Sequence, residues 1–159
     1  MNMSQVHELF EYRGGHLYRR VTTSHNAVKG TLVKGSISGQ YYRVRVGSER
    51  YGVHQVIFFM FNGFLPVEID HIDRNKLNNR IENLRAATVS QNASNRPTPK
   101  RNTSGAKGVS WHTPNLTWRV QISLNRKVKH IGYFKDFELA ELVAAEARNK
   151  YHGTFASHA

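Results

Sequence analysis

A polar, asparagine-rich run between two short apolar-alternating segments constrains this chain more than any other feature. Val67-Glu68-Ile69-Asp70-His71 reads as a strand and Ile81-Glu82-Asn83-Leu84-Arg85 as a short return segment. The loop between them is built from Asp73-Arg74-Asn75-Lys76-Leu77-Asn78-Asn79-Arg80. Neighbouring side chains on a regular strand point to opposite faces, so Asp70 and His71 can flank one phosphate only if the strand ends or bends there. The polar loop supplies that interruption. Thr88-Val89-Ser90-Gln91 is a capping-box sequence, with Thr88 as N-cap and Gln91 reaching back. The helix it starts carries Asn92 near its beginning, and Pro97 keeps it short.

These residue types suit phosphodiester hydrolysis. That reaction needs a water made nucleophilic, and relief of charge on the phosphate and on the departing oxygen. His71 can take the water's proton near neutral pH. The Asp70 carboxylate and the Asn92 amide oxygen are hard ligands, better suited to Mg²⁺ or Mn²⁺ than to Zn²⁺.

Asp70-His71, Asn83-Leu84-Arg85 and Asn92 together resemble the HNH nucleases of the ββα-metal fold. The resemblance implies that His71 is the general base and that Asn83 orients it and ties the loop down. It also implies that Asp70 and Asn92 hold one divalent ion, Asn92 standing where many members carry histidine. The chain is similar to phage- and intron-type HNH homing endonucleases, in which a histidine-led apolar helix precedes the motif. His54-Gln55-Val56-Ile57-Phe58-Phe59-Met60-Phe61 is read as that helix, closed near Gly63, although by periodicity alone it could be a core strand. His54 is read as a structural histidine at the helix start.

The chain carries a formal charge of +12, and its placement points to nucleic acid. No acidic residue lies between Glu82 and Asp136, or between Glu11 and Glu49, a run that includes Lys34. The cations expected to contact double-stranded DNA are Arg43, Arg45, Arg74, Lys76, Arg80, Arg96, Lys100, Arg101, Lys107, Arg119 and Lys127. There is no cysteine, which excludes disulfides and thiolate zinc sites. No long apolar run suggests a membrane partner. Met1-Asn2-Met3-Ser4-Gln5 lacks the signal-peptide pattern, so a cytoplasmic location is expected.

Ahead of the motif, residues 5–12 read as an opening helix, His16–Val21 as a strand, and a stretch punctuated by Gly30, Gly35 and Gly39 leads to Tyr41–Val46. There Tyr42, Val44 and Val46 alternate with Tyr41, Arg43 and Arg45. Gly47-Ser48 turns the chain into Arg50–Val53, giving a small antiparallel sheet. Beyond the motif, residues 97–106 form a basic linker with prolines. Three strands follow, over Lys107–His112, Thr117–Leu124 and Arg126–Phe134. A helix runs from Phe137 to about Tyr151, capped by Asp136 and closed by Gly153. The Gly-Val-x-Trp, Trp-x-Val-x-Ile and Ile-Gly-Tyr-Phe segments resemble the AP2 DNA-binding domain, whose exposed sheet face lies in the major groove. By parity Arg119, Gln121 and Ser123 face outward, flanked by Lys107, Ser110, His112 and His130.

The expected protein is therefore α+β. Residues 1–96 form the HNH nuclease domain, with antiparallel strands over 1–53 and helix plus ββα-metal motif over 54–96. Residues 107–159 form an AP2-like DNA-binding domain. The expected activity is metal-dependent cleavage of duplex DNA by a monomer or a homodimer. The alternatives are a catalytically inactive DNA-binding regulator and a basic RNA-binding protein. The first would bind without cutting under any metal; the second would yield poorly to duplex competitor.

Overall fold

The computed structural model describes residues 2–33, 35–38 and 40–158; Lys34 and Gly39 lie outside the described residues. The chain is a mixed α/β protein of small antiparallel sheets and few helices, in two compact units, Met1–Ala87 and Thr88–Ala159.

In the first unit, α1 (Met3–Leu9) is capped by Asn2, whose side chain accepts from the Ser4 amide. The helix pattern extends to residue 12, but the backbone becomes extended at Phe10. There β1 (Phe10–Arg13) pairs with β2 (His16–Arg19), and Phe10 is drawn into the core. The β2 strand, expected to reach Val21, stops at Arg19. Gly14 and Gly15 both take positive φ, 53° and 92°, as a tight two-residue hairpin turn demands. That turn abuts the asparagine-rich loop: a Cβ on Gly15 would lie 3.1 Å from the backbone nitrogen of Arg80. Next to it, the Ile81 amide donates to the Tyr12 hydroxyl at 3.2 Å. The front hairpin is thus a buttress for the loop.

A separate sheet holds β3 (Ser36–Ser38), β4 (Tyr41–Val46) and β5 (Glu49–Gly52) in the order β3-β4-β5. The front therefore contains two small sheets where the sequence suggests one. In β4, Val44 and Val46 point inward and Arg43 and Arg45 outward, as alternation predicts. The apolar run after Gly52 is a helix, α2 (Val53–Asn62), closed by Gly63 at φ 78°. Val56 and Ile57 on it are fully buried against Val6, Leu17 and Leu84. Each such side chain contributes about 1.5–3 kcal/mol of burial free energy, so α2 anchors the unit. Against it lies the hairpin of β6 (Glu68–His71) and β7 (Leu84–Ala87), with Asp70 opposite Arg85 and His71 opposite Leu84.

The second unit begins with α3 (Val89–Ser94), whose Thr88–Gln91 capping box forms as the sequence predicts. The sheet order is β10-β9-β8, made of β8 (Val109–His112), β9 (Thr117–Leu124) and β10 (Lys127–Phe134). Across it lies α4 (Phe137–His152), whose small Ala140 and Ala144 allow close packing on Val109 and Val120. Residues 97–106, read from sequence as a linker, fall inside this unit. Ala106 is buried in its core, and the Ser104 hydroxyl donates to the Val109 carbonyl at 2.8 Å. Lys107 Nζ donates to the carbonyls of Ser94 and Arg96, and the Asn125 amide to Ser90 Oγ. The bonds from Lys107 and Asn125 span 11 to 35 residues, a separation that composition along the chain does not mark.

Candidate active site

His71 ends β6 and is buried, 4 % exposed. Its Nε2 lies 3.2 Å from Oδ1 of Asn79, also buried. An amide oxygen there makes Nε2 the protonated nitrogen, so Nδ1 is the one that can accept a proton. The ring of His54, from the first turn of α2, sits 5.3 Å from that of His71 at 61°. Tyr41 stacks 4.8 Å from His54 and 6.1 Å from His71. Burial holds the His71 pKa below 6.5 even though Asn79, Asp73 and Asp70 favour its charged form. For His54, burial, then the charges of His71 and Arg43, bring the pKa down to about 4. Both rings are neutral at pH 7, the form a base requires.

Gly52 makes room for this pair. A Cβ there would lie 2.5 Å from His54 Cε1 and 2.8 Å from its Nδ1. The Gly52 amide meanwhile donates to Gln55 Oε1 at 2.7 Å, fixing the start of α2.

Asp70, 3 % exposed, lies across the ladder from Arg85, whose Nε and one terminal nitrogen donate to Asp70 Oδ2 at 2.8 and 2.6 Å. A buried carboxylate without such a partner would be unstable as an ion. Strand parity sends Asp70 and His71 to opposite faces, and both are still paired in the ladder, with Arg85 and Leu84.

The loop is organised by Asp73. Its Oδ1 accepts from the Asn75 amide and from Asn83 Nδ2, both at 2.8 Å, and its Oδ2 accepts from Asn78 Nδ2 at 2.6 Å. Asn83 completes the tie, accepting from the Asp73 amide and donating to the Asn78 carbonyl. Burial disfavours the Asp73 carboxylate, but the hydrogen bonds from Asn78, Asn75 and Asn83 outweigh it and hold its pKa below 3.8. Asn83 therefore ties the loop through Asp73 and Asn78, while the amide on the His71 ring belongs to Asn79. Sequence reasoning missed Asn79, Tyr41 and the place of His54. Asn79 is one of several loop asparagines, and nothing local marks it out.

The basic residues fall on both units. In the first, Arg43 and Arg45 project from β4 and Arg74, Lys76 and Arg80 from the loop. Lys76 Nζ lies 5.2 Å from the Tyr41 ring centre, and its charge acts on His71. In the second, Asn92 is on α3, and Arg96, Lys100, Arg101 and Lys127 are exposed. Arg119 donates to Ser110 Oγ at 3.3 Å, and His112 and His130 flank Tyr133 at 4.9 and 4.5 Å. Gln121 and Ser123 line a cavity of about 730 Å³ together with Lys107 and Ser110.

A divalent ion fits the donor chemistry of the first unit. Among the described residues no cluster of three His, Cys, Asp or Glu could form a closed protein cage. Asp70, a hard carboxylate oriented by Arg85, would instead give one ligand to an ion that keeps much of its water and binds substrate phosphate.

A buried histidine, a tied carboxylate and an asparagine-braced loop suit phosphodiester hydrolysis, and comparison with known proteins points to the same class. The family model described as HNH endonuclease matches residues 51–94. The chain is 39% identical over 107 residues to "Protein 3.8" of Escherichia phage T7, a match covering 65% of this chain and 86% of that protein. It is 45% identical over 60 residues to an uncharacterized HNH endonuclease of Acanthamoeba polyphaga mimivirus, covering 36% of this chain and 30% of that one. No solved structure matches. The chain belongs to the HNH endonuclease family and is a nuclease, an enzyme class that uses a divalent metal ion. No helix among the described residues is long and apolar enough to cross a membrane.

Proposed function

We propose that this chain is an HNH endonuclease of the homing type that hydrolyses a phosphodiester in duplex DNA. The observation that carries the reading is the buried His71 held through Nε2 by Asn79, next in sequence to a carboxylate fixed by Arg85.

His71 Nδ1 takes the proton of the attacking water. Asn79 fixes the ring and stabilises its positive charge once the proton has transferred. Asp70, oriented by Arg85, would hold Mg²⁺ or Mn²⁺; the same role for Asn92 rests on its place in the sequence pattern. When bound, the ion supplies charge relief at the phosphate and at the leaving 3′ oxygen. Asn83 and Asp73 keep the loop rigid, so that Arg74, Lys76 and Arg80 present their charges to the DNA backbone. β6, β7 and α3 are proposed as the ββα-metal unit.

The β8–β10 sheet on α4 is proposed as an AP2-like reader of the major groove through Ser110, His112, Arg119, Gln121, Ser123 and His130. Arg119 Nε and His112 Nδ1 are buried without a hydrogen-bond partner among the described residues, as groups awaiting a ligand would be.

Supercoiled plasmid incubated with purified protein and Mg²⁺ or Mn²⁺ tests the reading. Open-circle or linear product that disappears with chelator and with His71→Ala supports it. Tight binding with no cleavage under either metal would reduce the chain to a DNA-binding protein.

A further inference from the structure

The 730 Å³ cavity lies wholly inside the second unit, between α3, residues 96–103 and the sheet. Five lysine and arginine residues line it, the buried Arg148, the half-buried Lys107 and the exposed Arg96, Arg101 and Arg126. No aspartate or glutamate is among the lining residues.

Arg148 makes this more than a basic patch. It is 6 % exposed, and its guanidinium donates to the Lys107 carbonyl and approaches His158 Nδ1 at 3.4 Å. Its Nε is buried without a hydrogen-bond partner, and no carboxylate among the described residues pairs with it in an ion pair. Burying a cation in this way is expensive unless an anion joins it. Glu141 favours the Arg148 charge without forming an ion pair with it, and at His152 burial first, then Lys107 and Arg148, disfavour the charged form. The lining also includes an apolar wall of Val89, Ala93, Pro99 and Val128 with parts of Val109 and Ile122. A bare phosphate would leave that wall and most of the volume unused, whereas a phosphate joined to a flat apolar body would fill both.

We propose that this cavity binds one nucleotide, its phosphate among the cations and its base against the apolar wall. The proposal shares Ser110, Gln121 and Ser123 with the groove-reading face proposed above, but it requires no duplex. The same chemistry has two sources: a nucleotide unit of a nucleic-acid strand, or a free nucleoside monophosphate.

The test titrates the full-length ¹⁵N-labelled protein with thymidine monophosphate, followed by amide shifts. Arg101→Gln and Arg126→Asn are combined as the control. Both positions are exposed, and asparagine tolerates the left-handed φ of 64° at residue 126, so the fold is kept. Saturable shifts at Ser90, Gln121 and Ser123, weakened at least tenfold in the double variant, are expected. No saturation at millimolar nucleotide, or equal binding by the double variant, overturns the proposal. Single-stranded oligonucleotide is then added to the loaded protein. Displacement of the nucleotide identifies the occupant as part of a strand, and failure to displace it identifies a free nucleotide. If the site binds nucleotide while duplex affinity stays indifferent to Arg119→Ala, the groove-reading role fails and the cavity remains.

Discussion

The imidazoles of His54 and His71 lie 5.3 Å apart, edge to face, in a pocket that keeps both neutral. Only His71 has a ring nitrogen held by a buried amide, that of Asn79. In the proposed mechanism the two histidines divide the work: His71 is the proton acceptor, and His54, backed by Tyr41, is the wall that sets its ring plane.

Loss of the base should dominate the kinetics. His71→Ala is expected to lower cleavage by roughly 100-fold or more while duplex binding stays nearly unchanged. Asn79→Ala removes one hydrogen bond to a ring that becomes charged, so a fall of about 10- to 100-fold in kcat is expected. Single-turnover rates on a plasmid measure both. A wild-type rate for Asn79→Ala would deny that residue its orienting role.

Gly52→Ala should act on the site by sterics alone. The added methyl group would overlap the His54 ring, and the backbone itself, at φ −64°, accepts alanine without strain. Reduced kcat with an unchanged circular dichroism spectrum is the expected outcome. An unaffected rate would mean that His54 can move without disturbing His71.

Acid should destabilise the first unit through His54. A histidine whose folded pKa is lowered binds its proton more weakly than in the unfolded chain. Stability is therefore intact above 6.5 and declines as pH falls from there toward about 4. The full effect is of order 3 kcal/mol. Urea denaturation at several pH values measures it, and His54→Phe should flatten this part of the profile. An equal slope in that variant would place the effect elsewhere.

Arg85→Ala should destabilise the first unit by about 3–5 kcal/mol, because it strands the buried Asp70 carboxylate. Asp70→Asn in the same chain removes the stranded charge and should restore part of that loss without restoring cleavage. Denaturant midpoints for the single and double variants decide this; additive losses would show that the two residues are not coupled.

The second unit should be isolable only from Thr88 onward. A fragment of residues 88–159 keeps the bonds from Lys107 to Ser94 and Arg96 and from Asn125 to Ser90, and should unfold cooperatively. A fragment of residues 100–159 loses them all and should melt at a lower temperature. Duplex affinity of the longer fragment should fall steeply with salt, in proportion to the phosphates it neutralises. Equal melting temperatures would show that α3 adds nothing to the unit.

The sequence by itself determined what depends on neighbours along the chain. The Thr88 capping box, the Gly63 helix stop, the Val44 and Val46 alternation and the Asp70-His71 strand end all follow from backbone preference and side-chain period. So did the nuclease chemistry, because the residue types and spacing of the loop are local.

Only the tertiary structure decided which asparagine meets His71. It chose Asn79, with Asn83 on Asp73, through a loop whose turns are fixed by side-chain hydrogen bonds across five to ten residues. It also brought His54 and Tyr41 to the same ring from α2 and β4, and folded residues 97–106 into the second unit. These choices depend on contacts between segments distant in sequence. Their free energy comes from burial and long-range pairing, which composition and period along the chain do not encode.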